Sequence, residues 1–196
     1  MMAAQSDTLQ VDNLQFEAFK ARAEAVSAEV HRCATRRGAL DFILDLLRTE
    51  NVSDAPRCGA VWAGGSVLDG VDCQLMAQAV PGLKFHVTRE NTEAARVGIN
   101  QVPRAISATG TLVMDAAPVE QRLVSALPVI HVAVVPTDGI VPDMASVFSR
   151  IDPARSGYIS MITGPSRTAD IERVLTIGVH GPSRLVIVFV DELGRD

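Results

Sequence analysis

The sequence predicts an α/β protein: a mostly parallel sheet with helices on either side and an N-terminal helical appendage. Three features carry that prediction. From residue 58 onward, short strand-like and helix-like stretches alternate. Several of the strand-like stretches, "VIHVAVV" (129–135) and "RLVIVFV" (184–190) among them, are continuous apolar runs, the pattern of strands covered on both faces. Ahead of them, Phe16, Phe19, Ala23, Val26 and Val30 recur at spacings of three and four, the single apolar stripe of a helix.

Taken in order, that first helix is broken at Gly38, and a second presents Leu40, Ile43, Leu44 and Leu47 before ending near Thr49-Glu50-Asn51. Residues 51–57, "NVSDAPR", cluster Asn, Ser, Asp and Pro and read as a linker, which divides the chain into a helical segment, 1–57, and an α/β domain, 58–196. "CGAVWA" is a short strand stopped by Gly64-Gly65, after which Ser66 and Asp69 stand in capping-box relation. The helix that follows carries Leu68, Val71, Leu75 and Ala79. "KFHVT" (84–88) reads as a strand and "NTEAARVGI" (91–99) as a short helix. "TGTLVMD" (109–115) and "YISMIT" (158–163) are further strands, and "PDMASVFSRI" (142–151) is helical. A last helix spans 167–177, and no internal repeat interrupts the series.

Composition excludes several functions. The chain carries 23 acids against 18 bases, a net charge of −5, with aromatics at only 4%. Nucleic-acid binding leaves a basic footprint and often stacking platforms, and neither is present. Hydrophobic residues make up 47% and mean hydropathy is +0.20, yet the apolar runs fall well short of a membrane span. With no signal-peptide pattern at the start, the expected location is the cytoplasm. Cys33, Cys58 and Cys73 are isolated, so neither an intrinsic iron–sulfur or zinc site nor a disulfide framework is expected, and no intrinsic cofactor.

The dinucleotide, P-loop and zincin signatures are absent. "GGSVLDG" fails the nucleophile-elbow pattern, because Leu68 stands where the last glycine belongs. Only two lysines occur, Lys20 and Lys84, which argues against Schiff-base chemistry. "AGGS" (63–66) is a glycine-rich turn that could cradle a phosphate, although such turns are common. His131 and His86 read as core residues and His31 as solvated.

The densest stretch is "ITGPSRTADIERVLTIGVHGP" (162–182). Read as a helix entered through Gly164-Pro165-Ser166, it places Arg167 in the first turn, at the positive end of the dipole, where an anion is preferred. One resolution is a surface pair with Asp170. The other is that Ser166, Arg167, Thr168 and the free amides of the turn, with Gly164, hold a carboxylate or phosphate, as helix N-termini at the carboxyl ends of parallel strands do. Thr109, Gly110 and Thr111 offer two hydroxyls and a flexible backbone ahead of an apolar strand. His180 is the one histidine placed at a functional edge, without partners for a metal site.

That run resembles the hallmark of the lactate-utilisation protein C family, the LUD domain. "ATGTLV" (108–113) and "RLVSALPVIHVAVV" (122–135) resemble its two preceding blocks in the right order, so the likeness runs from about residue 95 to the end. It implies a three-layer α/β/α sandwich of the ribose-5-phosphate isomerase and CoA-transferase type. It also implies an accessory part in oxidising L-lactate to pyruvate beside iron–sulfur partner subunits. Related sequences commonly carry a glutamate just before Thr-Gly-Thr, where this chain has Ala108, so no catalytic residue is assigned. The alternative is a free-standing enzyme on a phosphorylated or CoA-linked small molecule, supported by fold analogy alone.

Overall fold

The computed structural model describes residues 2–152, 157–169, 175–177 and 181–193. Its centre is a six-stranded, all-parallel sheet in the order β1-β12-β7-β4-β2-β3, formed by Glu29–Cys33 (β1), Gly59–Trp62 (β2), Leu83–Lys84 (β3), Ala95–Gln101 (β4), Ile130–Pro136 (β7) and Arg184–Val190 (β12). A smaller mixed sheet, β8-β5-β6-β9, is built from Arg104–Ile106 (β5), Thr111–Asp115 (β6), Ile140–Val141 (β8) and Ile159–Ile162 (β9). Arg167–Ala169 (β10) and Leu175–Ile177 (β11) pair antiparallel. The helices are Met2–Ala25 (α1), Arg36–Thr49 (α2), Cys73–Ala79 (α3), Arg89–Glu93 (α4), Val119–Ala126 (α5) and Met144–Phe148 (α6).

Strand alternation sorts the core into two layers. Val132, Val134, Val186, Val188 and Val190 face Ile43 and Leu47 of α2 and Met76 of α3. Ala133, Val135, Leu185, Ile187 and Phe189 face Phe16 and Phe19 of α1 and Leu112 and Met114 of the second sheet. Both faces of these two strands are therefore dry, which is why residues 132–135 of β7 and 185–190 of β12 are apolar throughout. The expected parallel sheet flanked by helices holds, with the second sheet making up much of one outer layer.

Several elements differ from the sequence expectation. The N-terminal region is helix, strand, helix, not helix throughout: Val30 belongs to β1, which pairs in parallel with β12 at the edge of the main sheet. Its spacing from Val26 continues the helical stripe, but the helix ends at Ala25 and the chain turns away at Ser27, which has φ 71°. Gly38 lies inside the first turn of α2, where its amide donates to the Thr35 cap at 3.0 Å. The expected helix at 91–99 is α4 followed by β4. Thr88 caps α4, accepting from Asn91 N at 3.1 Å, so the strand expected at 84–88 shrinks to Leu83–Lys84. Ser66 caps nothing: Ser66–Leu68 is a single 3-10 turn, and α3 starts at its own cap, Asp72, leaving Leu75 exposed.

At the amino-terminal ends of the strands, Glu50, which terminates α2, accepts from both Arg96 and Arg184, and Arg184 is also forked onto Glu29. The cluster joins α2 to β1, β4 and β12. The Arg184 hydrogen bonds hold the Glu29 carboxyl below the ordinary carboxylate range against a smaller opposing effect of burial.

Candidate functional site

The end of α1 organises the region in which the motifs meet. Ser27 N donates to Glu24 O at 2.9 Å and Ala28 N to Ala23 O at 3.0 Å, the paired bonds of a Schellman ending. The left-handed position in such an ending favours glycine, and here it is Ser27. Arg167 supplies support: its Nη2 donates to Val26 O at 2.6 Å and lies 3.1 Å from Ser27 Oγ. A cation at the carbonyl end of a helix has the favourable sign for the dipole.

This corrects the sequence reading of Arg167. The segment is not a helix over 167–177, because Arg167 lies in β10, paired with Ile177 of β11, while residues 170–174 lie outside the described chain. Residues 167–169 and 175–177 pair as short antiparallel strands where the helix was expected. Arg167 is still beside a helix end, but it is the carboxyl end of α1, and the partner shown is backbone carbonyl and hydroxyl. Thr168 contributes its backbone to the same strand. His180 lies outside the described residues.

Both glycine motifs also press on α1. Gly110 has φ 66°, and a Cβ on it would stand 2.5 Å from Ala23 N. Gly164 has φ 72°, and its Cβ would stand 2.7 Å from Val26 O. Neither position admits a side chain without moving the helix end. Between them runs a chain of hydroxyls: Thr109 Oγ1 donates to Thr111 Oγ1 at 2.7 Å, and Thr111 Oγ1 lies 2.8 Å from Thr163 Oγ1. "TGT" and "GPSR", more than fifty residues apart, are thus brought together across β6 and β9.

Thr163 opens the wall of a cleft of about 290 Å³. Gly164, Pro165 and Ser166 continue that wall, Ser125 and Ala126 of α5 and Gly181-Pro182 form the sides, and His131 and Leu185 form the floor. Of the eight residues the sequence singled out, Gly164 and Ser166 line the cleft; Thr109 and Thr111 connect to it through Thr163. Gly110 and Arg167 belong to the α1 seat instead. The described lining contains hydroxyls and an imidazole but no Lys or Arg. The cleft also sits at the amino-terminal ends of β7 and β12, next to residues 131 and 185. The expectation of a site at the carboxyl ends of parallel strands fails here because β9, which leads into the turn, belongs to the second sheet.

His131 is the residue that sequence reasoning passed over. It is 1% exposed, as expected of a core histidine, and its Nε2 lies 2.8 Å from Asn100 Oδ1. Asn100 Nδ2 donates to Gln121 Oε1 at 2.8 Å and faces the Met114 thioether sulfur at 2.9 Å, which can only accept, so Asn100 Oδ1 is the atom turned to His131 Nε2 and the protonated ring nitrogen is Nε2. Burial pushes the imidazole pKa down to about 4. The available signal was Asn100, a polar residue inside the apolar run of β4. Gly98 makes the arrangement possible: any Cβ there would collide with the Val124 carbonyl of α5, so α5 can lie close and bring Gln121 to Asn100.

Other expectations resolve quickly. The "AGGS" turn is filled from within, since Gln101 Oε1 accepts from Val67 N at 3.0 Å and Gln101 Nε2 donates to Ser66 Oγ at 3.0 Å. His86 is exposed and not a core residue, because β3 ends before it. His31 is half-buried against the Phe42 ring at 4.5 Å. No group of three or more metal-ligating side chains occurs among the described residues, and no described helix is long and apolar enough to cross a membrane.

Comparison with known proteins agrees with the likeness noted in the motifs. Lactate utilization protein C of Exiguobacterium sp. is 36% identical over 112 residues, 54% of this chain and 49% of that protein. Lactate utilization protein C of Bacillus subtilis is 38% identical over 109 residues, 53% of this chain and 45% of its own length. The aligned region thus spans about half the length of these curated relatives. Among solved structures, a DUF162 family protein from Deinococcus radiodurans superposes with a TM-score of 0.52 at 21% identity, covering 92% of this chain and 97% of the other, a likeness of fold. The sequence profile of the LUD domain matches residues 16–190, from the middle of α1 to the end of β12, and the chain belongs to the LUD domain family.

Proposed function

We propose that this chain serves lactate utilisation as an accessory subunit, acting beside iron–sulfur partner subunits that carry the electrons, and that it holds a small carboxylate in the cleft at the 163–166 turn. The observation that carries the reading is the convergence of the two family motifs on one cleft, in a chain whose relatives are named lactate utilization protein C. Hydroxyls of Thr163 and Ser166 give the cleft donors without a Lys or Arg among its described lining. That set suits a singly charged carboxylate better than a phosphate dianion, which draws on cations and charge-assisted bonds. The reading asks no cofactor of this chain, and its isolated cysteines agree with electron transfer residing in partners.

The test is affinity purification of the tagged chain from its native host grown on lactate, with mass spectrometry of the co-purifying proteins. Recovery of cysteine-rich iron–sulfur proteins in stoichiometric amount is expected. Recovery of the chain alone, under conditions that preserve other complexes of the host, would overturn the accessory role.

A further inference from the structure

The second sheet packs one face inward and leaves the other only partly covered. Leu112 and Met114 of β6 pack in the layer that holds Phe189, so Val113 and Asp115, which alternate with them, stand on the outer face. Register sets Arg104 of β5 opposite Val113 and Ile159 of β9 opposite Asp115, on that same face. Helix α6 covers part of it, with Val147 packed among Ile106, Val113 and Val141, but it is only five residues long. Beyond its end a cavity of about 380 Å³ opens over Arg104, Val113, Asp115 and Ile159, walled on the α6 side by Arg150 and Ile151. It is in the size range of small-molecule sites and shares no lining residue with the cleft at the 163–166 turn.

The charges of this cavity are unbalanced. Arg32, Arg48, Arg89, Arg96 and Arg184 each meet a carboxylate. Arg104, which is half-buried, and Arg150 form no ion pair or side-chain hydrogen bond with a described residue. Of the acids on the wall, Asp115 accepts from Ala117 N through Oδ1 at 3.0 Å, and Asp152 has an interaction of its own. Two guanidiniums lining one cavity repel each other and favour a doubly charged oxyanion, and phosphate oxygens match their forked donors. The surface between them is apolar, formed by Val113, Ile151 and Ile159. Inorganic phosphate leaves that surface wet, whereas a flat organic body attached to the phosphate covers it.

We propose that this cavity is a second ligand site that binds a nucleoside monophosphate, with Arg104 and Arg150 holding the phosphate, the base lying on Val113 and Ile159, and Asp115 Oδ2 accepting from a sugar hydroxyl or base amine. The site is independent of the carboxylate reading of the cleft. The experiment titrates the full chain with AMP, GMP, CMP and UMP, with their nucleosides and with inorganic phosphate, following backbone amide resonances. At least one nucleotide is expected to move the amides of residues 104, 113, 115, 150 and 151 and to bind at least about tenfold more tightly than its nucleoside or inorganic phosphate. Arg104→Gln and Arg150→Gln should each weaken that nucleotide at least about tenfold, with the amides of the main sheet unmoved as the check on folding. The wild-type titration decides the matter even where a variant fails to fold. Unmoved amides at large millimolar excess of all four nucleotides, inorganic phosphate binding as tightly as the nucleotides, or wild-type affinity in either folded variant overturns the proposal and leaves the cleft untouched.

Discussion

Acidification provides a direct probe of how His131 is held. In the fold its imidazole is neutral, with a pKa pushed down to about 4 by burial, whereas the same group in an unfolded chain titrates near 6.5. Between those values the unfolded chain carries a proton that the folded chain lacks, so lowering the pH favours unfolding. Moving from about pH 7 to about pH 4.5 should therefore cost about 2.5 kcal/mol from this one group, with most of the loss below about pH 6. Carboxylates lose stability in acid too. Glu29, held below the ordinary range by Arg184, contributes fully above its unfolded pKa and loses that contribution as pH falls through its folded one. Such losses are common to wild type and variant and cancel in a comparison. The assay is urea unfolding of wild type and His131→Gln at both pH values. Wild type should lose about 2.5 kcal/mol more than the variant. Equal losses would mean that His131 accepts a proton within the fold, and the fixed neutral tautomer on which the hydrogen-bond assignment rests would be refuted.

The remaining predictions concern the seat of α1 and the ion cluster. Arg167→Ala should cost about 1 kcal/mol, because the exposed guanidinium makes two bonds to a helix end, and should speed amide exchange at residues 26–28. Adding Ser27→Gly to that variant should recover about 1 kcal/mol, since glycine removes the left-handed strain at φ 71°; no recovery in thermal or urea unfolding would show that the strain is absent. Gly164→Ala should cost about 2 kcal/mol or more by urea unfolding, combining φ 72° with a Cβ only 2.7 Å from Val26 O. Glu50→Gln should lower stability by about 1–2 kcal/mol and should do so almost equally in high salt, because the carboxylate, 13% exposed, is shielded from screening ions.

How much of this was legible in the sequence follows from where the information sits. β7 and β12 were readable because burial on both faces demands a near-continuous apolar run, broken only by His131 in β7 and by Arg184 at the start of β12. β1 was hidden by the opposite circumstance. At a sheet edge only Val30 of its five residues is buried, and that one continued the helical stripe. β4 was misread because Ala95, Val97 and Ile99 follow a helix cap so closely that the period changes within a single window. The cleft was half legible. Gly164 and Ser166 were singled out from turn chemistry, but His131 and Asn100 acquire meaning only when β4 and β7 lie side by side, a long-range fact that local spacing does not encode.

Arg167 shows how a sound local rule can identify the right kind of partner at the wrong address. The premise was that a cation in a first helical turn faces the wrong end of its own dipole, so something negative must stand before it. The cation does face negative charge. The source is the carbonyl end of α1, about 140 residues away in the chain, where Val26 O meets the guanidinium at 2.6 Å. Sequence reading treats a helix end as a local object, completed by the residues on either side of it. Here the completion is remote: Gly110 and Gly164 clear the space, and Arg167 supplies the donor that a serine in the left-handed position leaves wanting. Seating α1 in this way also places Thr111 and Thr163 in contact and sets the wall of the cleft. A motif that reads as a binding loop therefore performs two jobs at adjacent positions. Gly164 and Ser166 line the cleft while Arg167 anchors the helix, so a variant at Arg167 tests architecture and a variant at Ser166 tests the cleft.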